Sequence, residues 1–154
     1  MAGLKEITNY VRMADDIGSS GQPTREQFAA IAEAGFGAVV NLALPSSDHA
    51  IPEEGSIVTG LGMRFVHIPV DFAAPTAADL RQFIGVMEAF RGTKVWVHCV
   101  VNMRVSAFLY HYLRKVRGLP EADCRSPVLE KWAPQMDEVW KAFLALDEAA
   151  IRAA

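Results

Sequence analysis

Cysteine is scarce. The 154-residue chain has only Cys99 and Cys124, in no paired spacing, so a disulfide framework is excluded. No apolar run is long enough for a membrane span and no signal peptide opens the chain, so a reducing cytoplasm is the expected compartment. Charge of one sign is lacking as well. With 15 Lys and Arg against 18 Asp and Glu, the net charge of -3 gives no reason to expect nucleic acid as a partner. There is no internal repeat, and no low-complexity linker divides the chain. The 51% hydrophobic and 21% charged content is that of a globular protein with a conventional core. A single domain over 1–154 is expected, with a C-terminal helical segment from about 126.

Apolar segments alternate with amphipathic ones. Thr24-Arg25-Glu26-Gln27 reads as a capping box, Phe28, Ile31 and Ala32 as the buried stripe of the helix it opens, and Gly35 as its stop. Ala38 to Leu42 is a short buried strand. The segment from Ile51 reads as a helix ending at Gly60 or Gly62, and Met63 to Val70 as the next strand. Thr76 opens a helix with Leu80, Phe83, Ile84 and Met87 on one face. Val95 to His98 is a strand, Arg104 to Arg117 a helix, and one last helix runs from about Pro134 to Arg152. This order implies an α/β fold, a mostly parallel four- to five-stranded sheet flanked by helices.

The most informative stretch is Val95-Trp96-Val97-His98-Cys99-Val100-Val101-Asn102-Met103-Arg104-Val105-Ser106. A Cys between a buried strand and a helix N-terminus meets unpaired N–H groups and the positive end of the helix dipole, which favour a thiolate. The same groups bind a tetrahedral oxyanion, and a nearby guanidinium can fork two of its oxygens. Nucleophile and anion cradle are thus carried by one segment. His49, His67 and His111 are scattered and form no metal constellation, and Cys124 reads as structural. Trp132 and Trp140 read as core.

These residues resemble the cysteine-dependent protein phosphatases, in particular a bacterial branch of the small dual-specificity-like enzymes. Their loop reads His-Cys, five residues, Arg, then Ser or Thr, with Gly three positions after the Cys. Here four residues separate Cys99 from Arg104, Asn102 stands where the family has Gly, and Ser106 keeps the family's register. Asn is the residue next most tolerant of positive φ. The resemblance implies a dual-specificity-phosphatase-like fold and a phosphorylated substrate, protein or small molecule, with no cofactor, no metal and no membrane partner. It implies Cys99 as nucleophile, with Arg104 and the loop of Val100, Val101, Asn102 and Met103 holding phosphate. Ser106 is then expected to donate to the thiolate, and His98 to orient the loop. Asp71, 99 − 71 = 28 residues before the Cys, lies in Ile68-Pro69-Val70-Asp71-Phe72-Ala73-Ala74-Pro75 at about the family's separation for the acid that protonates the leaving oxygen. Asp79 is the weaker choice because Thr76 already explains it as a capping partner.

Two other readings stand beside this one. Rhodanese-type sulfurtransferases carry Cys-x-x-Gly-x-Arg, the four-residue gap seen here, and would use Cys99 as a persulfide carrier with no need of Asp71. A non-catalytic anion or phosphoprotein binder would retain the cradle alone.

Overall fold

Short apolar segments pair here because each is bounded by a turn or a capped helix. The computed structural model describes residues 3–154. β1 (Val11–Ala14) and β2 (Ile17–Ser20) form an antiparallel hairpin. α1 (Arg25–Glu33) follows, opened by the reciprocal Thr24–Gln27 capping box and stopped by Gly35 at φ 94°. Next come β3 (Ala38–Asn41), α2 (Glu54–Gly60) and β4 (Arg64–His67). α3 (Ala77–Ala89) is opened by a second capping box, Thr76 with Asp79. β5 (Val95–His98) leads to α4 (Met103–His111).

The chain then runs through α5 (Glu121–Cys124), α6 (Pro127–Trp132), α7 (Glu138–Leu144) and α8 (Glu148–Arg152). The strand order is β1-β2-β5-β3-β4, parallel except for the β1–β2 edge, so β5 lies at the centre. Register aligns Ser20, His98, Asn41 and His67 in one row at the carboxyl end of the four parallel strands. That is the edge where α/β sheets place ligands.

Period-two alternation along β5 sends Trp96 to the face covered by α1 and α2, where it packs with Phe28, Ile31 and Phe36. Val95, Val97 and Cys99 belong to the larger cluster on the other face, with Phe83, Phe108, Tyr112 and Trp140. The five-stranded α/β sheet agrees with the expectation. The single last helix does not. Pro134 falls in a 3-10 turn (Ala133–Gln135), and Asp137 and Asp147 each accept a backbone N–H three residues on, so two helices start where one was expected. The expected helix from Arg104 to Arg117 changes at Tyr112 into a π-helical turn through Val116, which closes with Arg117 N–H donating to the Tyr112 carbonyl. The strand expected to reach Val70 stops at His67, before Pro69, which has no N–H for a ladder. Among the described residues no helix is long and apolar enough to cross a membrane.

Candidate active site

Cys99 follows the last residue of the central strand and is 1% exposed. The loop after it makes one residue of left-handed turn, Asn102 at φ 74°, and then enters α4 directly. Asn102 holds this conformation with its side chain: Nδ2 donates to the Asn9 carbonyl at 2.8 Å and lies 3.3 Å from Ser19 Oγ. From the other side, Asn9 Nδ2 donates to the Val101 carbonyl at 2.9 Å, and Gln22 N–H to the Val100 carbonyl at 2.9 Å. The loop's carbonyls are thereby turned toward the N-terminal segment. Its N–H groups from Val100 to Arg104 have no hydrogen-bond partner among the described residues. Gly21 permits this close approach, since a Cβ there would lie 2.3 Å from the Val100 oxygen.

His98 is fully buried, with Nδ1 3.2 Å from the Cys99 carbonyl and Nε2 2.6 Å from Glu54 Oε2. Glu54, 4% exposed at its side chain, accepts a second bond from Gln22 Nε2 at 2.9 Å. One buried carboxylate therefore ties α2, the segment after β2 and the His-Cys corner together. The sequence reading missed Glu54. Its signal was helical spacing: Val58, four residues on, is fully buried, which puts Glu54 on the inner face of α2.

Arg104, 6% exposed, donates through Nη1 to the Val70 carbonyl at 2.8 Å, and its Cζ lies 5.7 Å from the Phe72 ring. The guanidinium is thus brought to the residues flanking Asp71. Asp71 is exposed, and its Oδ1 accepts Ala73 N–H at 2.9 Å. The hydroxyl of Ser106 behaves differently from its expected role. It donates to the Met103 carbonyl at 2.6 Å, the local back-bond open to any helical Ser, rather than to Cys99. Cys124 is buried at the end of α5, where burial pushes its thiol up. Beside Val100 and Val101 opens a groove of about 670 Å³, bordered also by Thr24, Arg25 and His49. Among the described residues no three His, Cys, Asp or Glu side chains are placed to hold a metal ion.

A parallel sheet whose central strand ends in His-Cys, with unpaired N–H groups leading into a helix N-terminus, is the architecture of the dual-specificity phosphatase class. The chain belongs to the family of the DSP-PTPase phosphatase fused to NAD+ kinase, whose model matches residues 14–123. A proposed phosphatase (DUF442) from Shewanella putrefaciens CN-32 is 34% identical, with 97% of this chain and 95% of that one covered and a TM-score of 0.83. At lower identity the fold recurs in the catalytic domain of the PP-IP phosphatase SIW14 from S. cerevisiae (14%, 96% and 90% covered, TM-score 0.74). It recurs again in TpbA from P. aeruginosa in complex with pTyr (16%, 95% and 89% covered, TM-score 0.71). No curated protein matches the chain. The chain is therefore a homologue of the tyrosine and dual-specificity phosphatases, which are phosphoric monoester hydrolases.

Proposed function

We propose that the protein hydrolyses phosphomonoesters through a phosphocysteine on Cys99. One observation carries the reading: Cys99 directly follows the central strand, at the mouth of a loop whose N–H groups from Val100 to Arg104 are unpaired and lead into α4. Such donors hold the equatorial oxygens of a phosphoryl group as charge redistributes. The Cys99 thiolate attacks phosphorus, the bond to the ester oxygen breaks, and Asp71 gives that oxygen its proton. Asp71, now a carboxylate, takes a proton from water, which attacks phosphorus. The S–P bond breaks, and phosphate leaves with the thiolate restored.

Arg104 holds phosphate with the guanidinium nitrogens that Val70 does not occupy. Met103 and Asn102 act through backbone and shape, and His98 through its bond to the Cys99 carbonyl. The groove at Val100 and Arg25 would take the rest of the ester. Varied phosphoesters, protein or small molecule, are the proposed substrates. The fold is seen elsewhere with phosphorylated ligands, in TpbA with pTyr and in PTPMT1 with PI(5)P. The reaction uses Cys99 as a free thiol, which agrees with the cytoplasm as the proposed compartment.

The test is hydrolysis of aryl phosphates by the parent, Cys99→Ser and Asp71→Asn. Cys99→Ser should be inactive, and Asp71→Asn slower by about 10² to 10⁴ near the acidic optimum. Thiosulfate-to-cyanide sulfur transfer lost in Cys99→Ser but kept in Asp71→Asn, with no phosphatase activity in the parent, would replace this reading with persulfide chemistry.

A further inference from the structure

The C-terminal segment, from α6 onward, lies beyond the 14–123 region that the family model matches, and the phosphatase chemistry above does not use it. Yet it reaches the acid loop. Trp140, fully buried at the start of α7, donates its indole N–H to the Phe72 carbonyl at 2.8 Å. The Phe72 ring lies 5.3 Å from the Trp140 ring and 5.8 Å from the Trp132 ring, with Arg104 Cζ 5.7 Å from its own centroid. Two residues earlier in the loop, the Val70 carbonyl accepts a hydrogen bond from the Arg104 guanidinium. Asp71 is thus the residue between two pinned carbonyls, one held by the helix after the Cys99 loop and one by the C-terminal segment.

We propose that Trp140 is a positioning residue for general-acid catalysis: through the Phe72 carbonyl and ring it holds the Asp71 loop at the site, while Arg104 holds the loop's other flank. This rests on Asp71 being the acid of the phosphatase reading. Asp71 is exposed and only its Oδ1 has a local partner, so its own side chain does not anchor the loop. The segment from Asp71 to Pro75 has no strand or helix of its own; its Val70 flank is held by Arg104 and by Val70 N–H donating to the Leu42 carbonyl at 3.0 Å, its Phe72 flank by Trp140, and it keeps one conformation through these tethers. Released from one of them, it spends less time with the carboxyl at the leaving oxygen, and proton donation falls in proportion.

A core role for Trp140 is real too, since its ring touches Phe108 and Phe143. The variants must therefore separate packing from positioning. Trp140→Phe keeps an aromatic ring but removes the donor. Phe72→Ala removes the ring at a position 37% exposed, outside the core. Both are assayed in the full chain against aryl phosphates of graded leaving-group pKa, with near-UV circular dichroism as the check of folding. Each should lose about 5- to 10-fold in kcat/KM with a poor leaving group and little with a good one, which needs no proton. In an Asp71→Asn background neither should cost anything further, because the proton donor is already gone.

An equal loss across all leaving groups, or a loss that adds to that of Asp71→Asn, would overturn the proposal and leave Trp140 as packing alone. If Trp140→Phe does not fold, the same criteria apply to Phe72→Ala. Failure of the underlying reading looks different: Asp71→Asn itself would then show no leaving-group dependence in the parent background, and both proposals would fall together.

Discussion

Gly21 shows how narrowly single atoms define this site. Its N–H donates to the Thr8 carbonyl at 2.7 Å, and the position of its absent Cβ is 2.3 Å from the Val100 oxygen. Gly21→Ala must push the Cys99 loop outward or break the bond from Gln22. We expect the melting temperature to fall by roughly 3 to 10 °C, as for overpacking in a domain of this size. Aryl phosphate turnover should drop by about tenfold or more, because small displacements of a phosphate cradle are costly. An unchanged kcat/KM would mean that the loop's placement against β2 is irrelevant to activity. The candidate residues of the loop (Cys99, Asn102, Arg104) stand out in the sequence because they share one short segment, whereas Asp71 is a candidate through its separation from Cys99 in the family resemblance. Glu54 and Trp140 do not stand out. Each acts across the fold, on His98 and on Phe72, and a contact between distant positions leaves no local spacing to read. Ser106 had a motif position, but its hydroxyl found a nearer acceptor in Met103.

At the scale of elements, α4 decides whether the short Cys99–Arg104 gap is a defect or an adaptation. Val105, Phe108 and Leu109 are fully buried, which locks the rotation of the helix and with it the direction of Arg104. A Gly inserted between Asn102 and Met103 must then either turn Arg104 by about 100° or pull Asn102 away from Asn9. Either outcome removes a contact that shapes the cradle. Calorimetric titration with vanadate should show binding lost in the insertion variant; binding equal to the parent's would mean that the loop had only lost a residue. Capped helices and buried strands are legible in the sequence, since Thr24, Thr76 and the apolar β3 and β5 state their roles locally. The antiparallel β1–β2 hairpin carries no such local signal, because β1 is only partly buried and Gly18, Ser19 and Ser20 interrupt the apolar pattern of β2. The C-terminal helices were merged because apolar spacing at Met136, Val139 and Trp140 suggested one stripe. Val139 is in fact 44% exposed, and the capping carboxylates of Asp137 and Asp147 were the better signal.

For the molecule as a whole, stability should depend on pH through His111. Burial among the C-terminal helices pushes its imidazole down to about 4; Nε2 lies 2.8 Å from the Phe143 carbonyl, and Nδ1 has no partner among the described residues. The ordinary value of about 6.5 holds in the unfolded chain, so between about 6.5 and 4 the unfolded state binds the extra proton. Stability therefore falls as pH drops through that window, by about 3 kcal/mol at most, and this residue adds no further loss below it. His111→Gln keeps a donor for Phe143 and does not titrate, so urea midpoints should fall less between pH 7 and 4.5 than in the parent. Parallel losses would acquit His111. At the other end of the sheet, Arg117 forks Asp16 with two bonds of 2.8 Å, holds that carboxyl below the usual carboxylate range, and pins the β1–β2 turn to the end of the π-helical turn. The tether between Phe72 and Trp140 has a consequence in time rather than space. Its partners are 68 residues apart, and Trp140 is made after every strand of the sheet. On the ribosome Cys99 and its loop are made while Phe72 still lacks its partner Trp140. In order of synthesis, the loop after β5 is therefore complete before the segment at Asp71 gains its second tether.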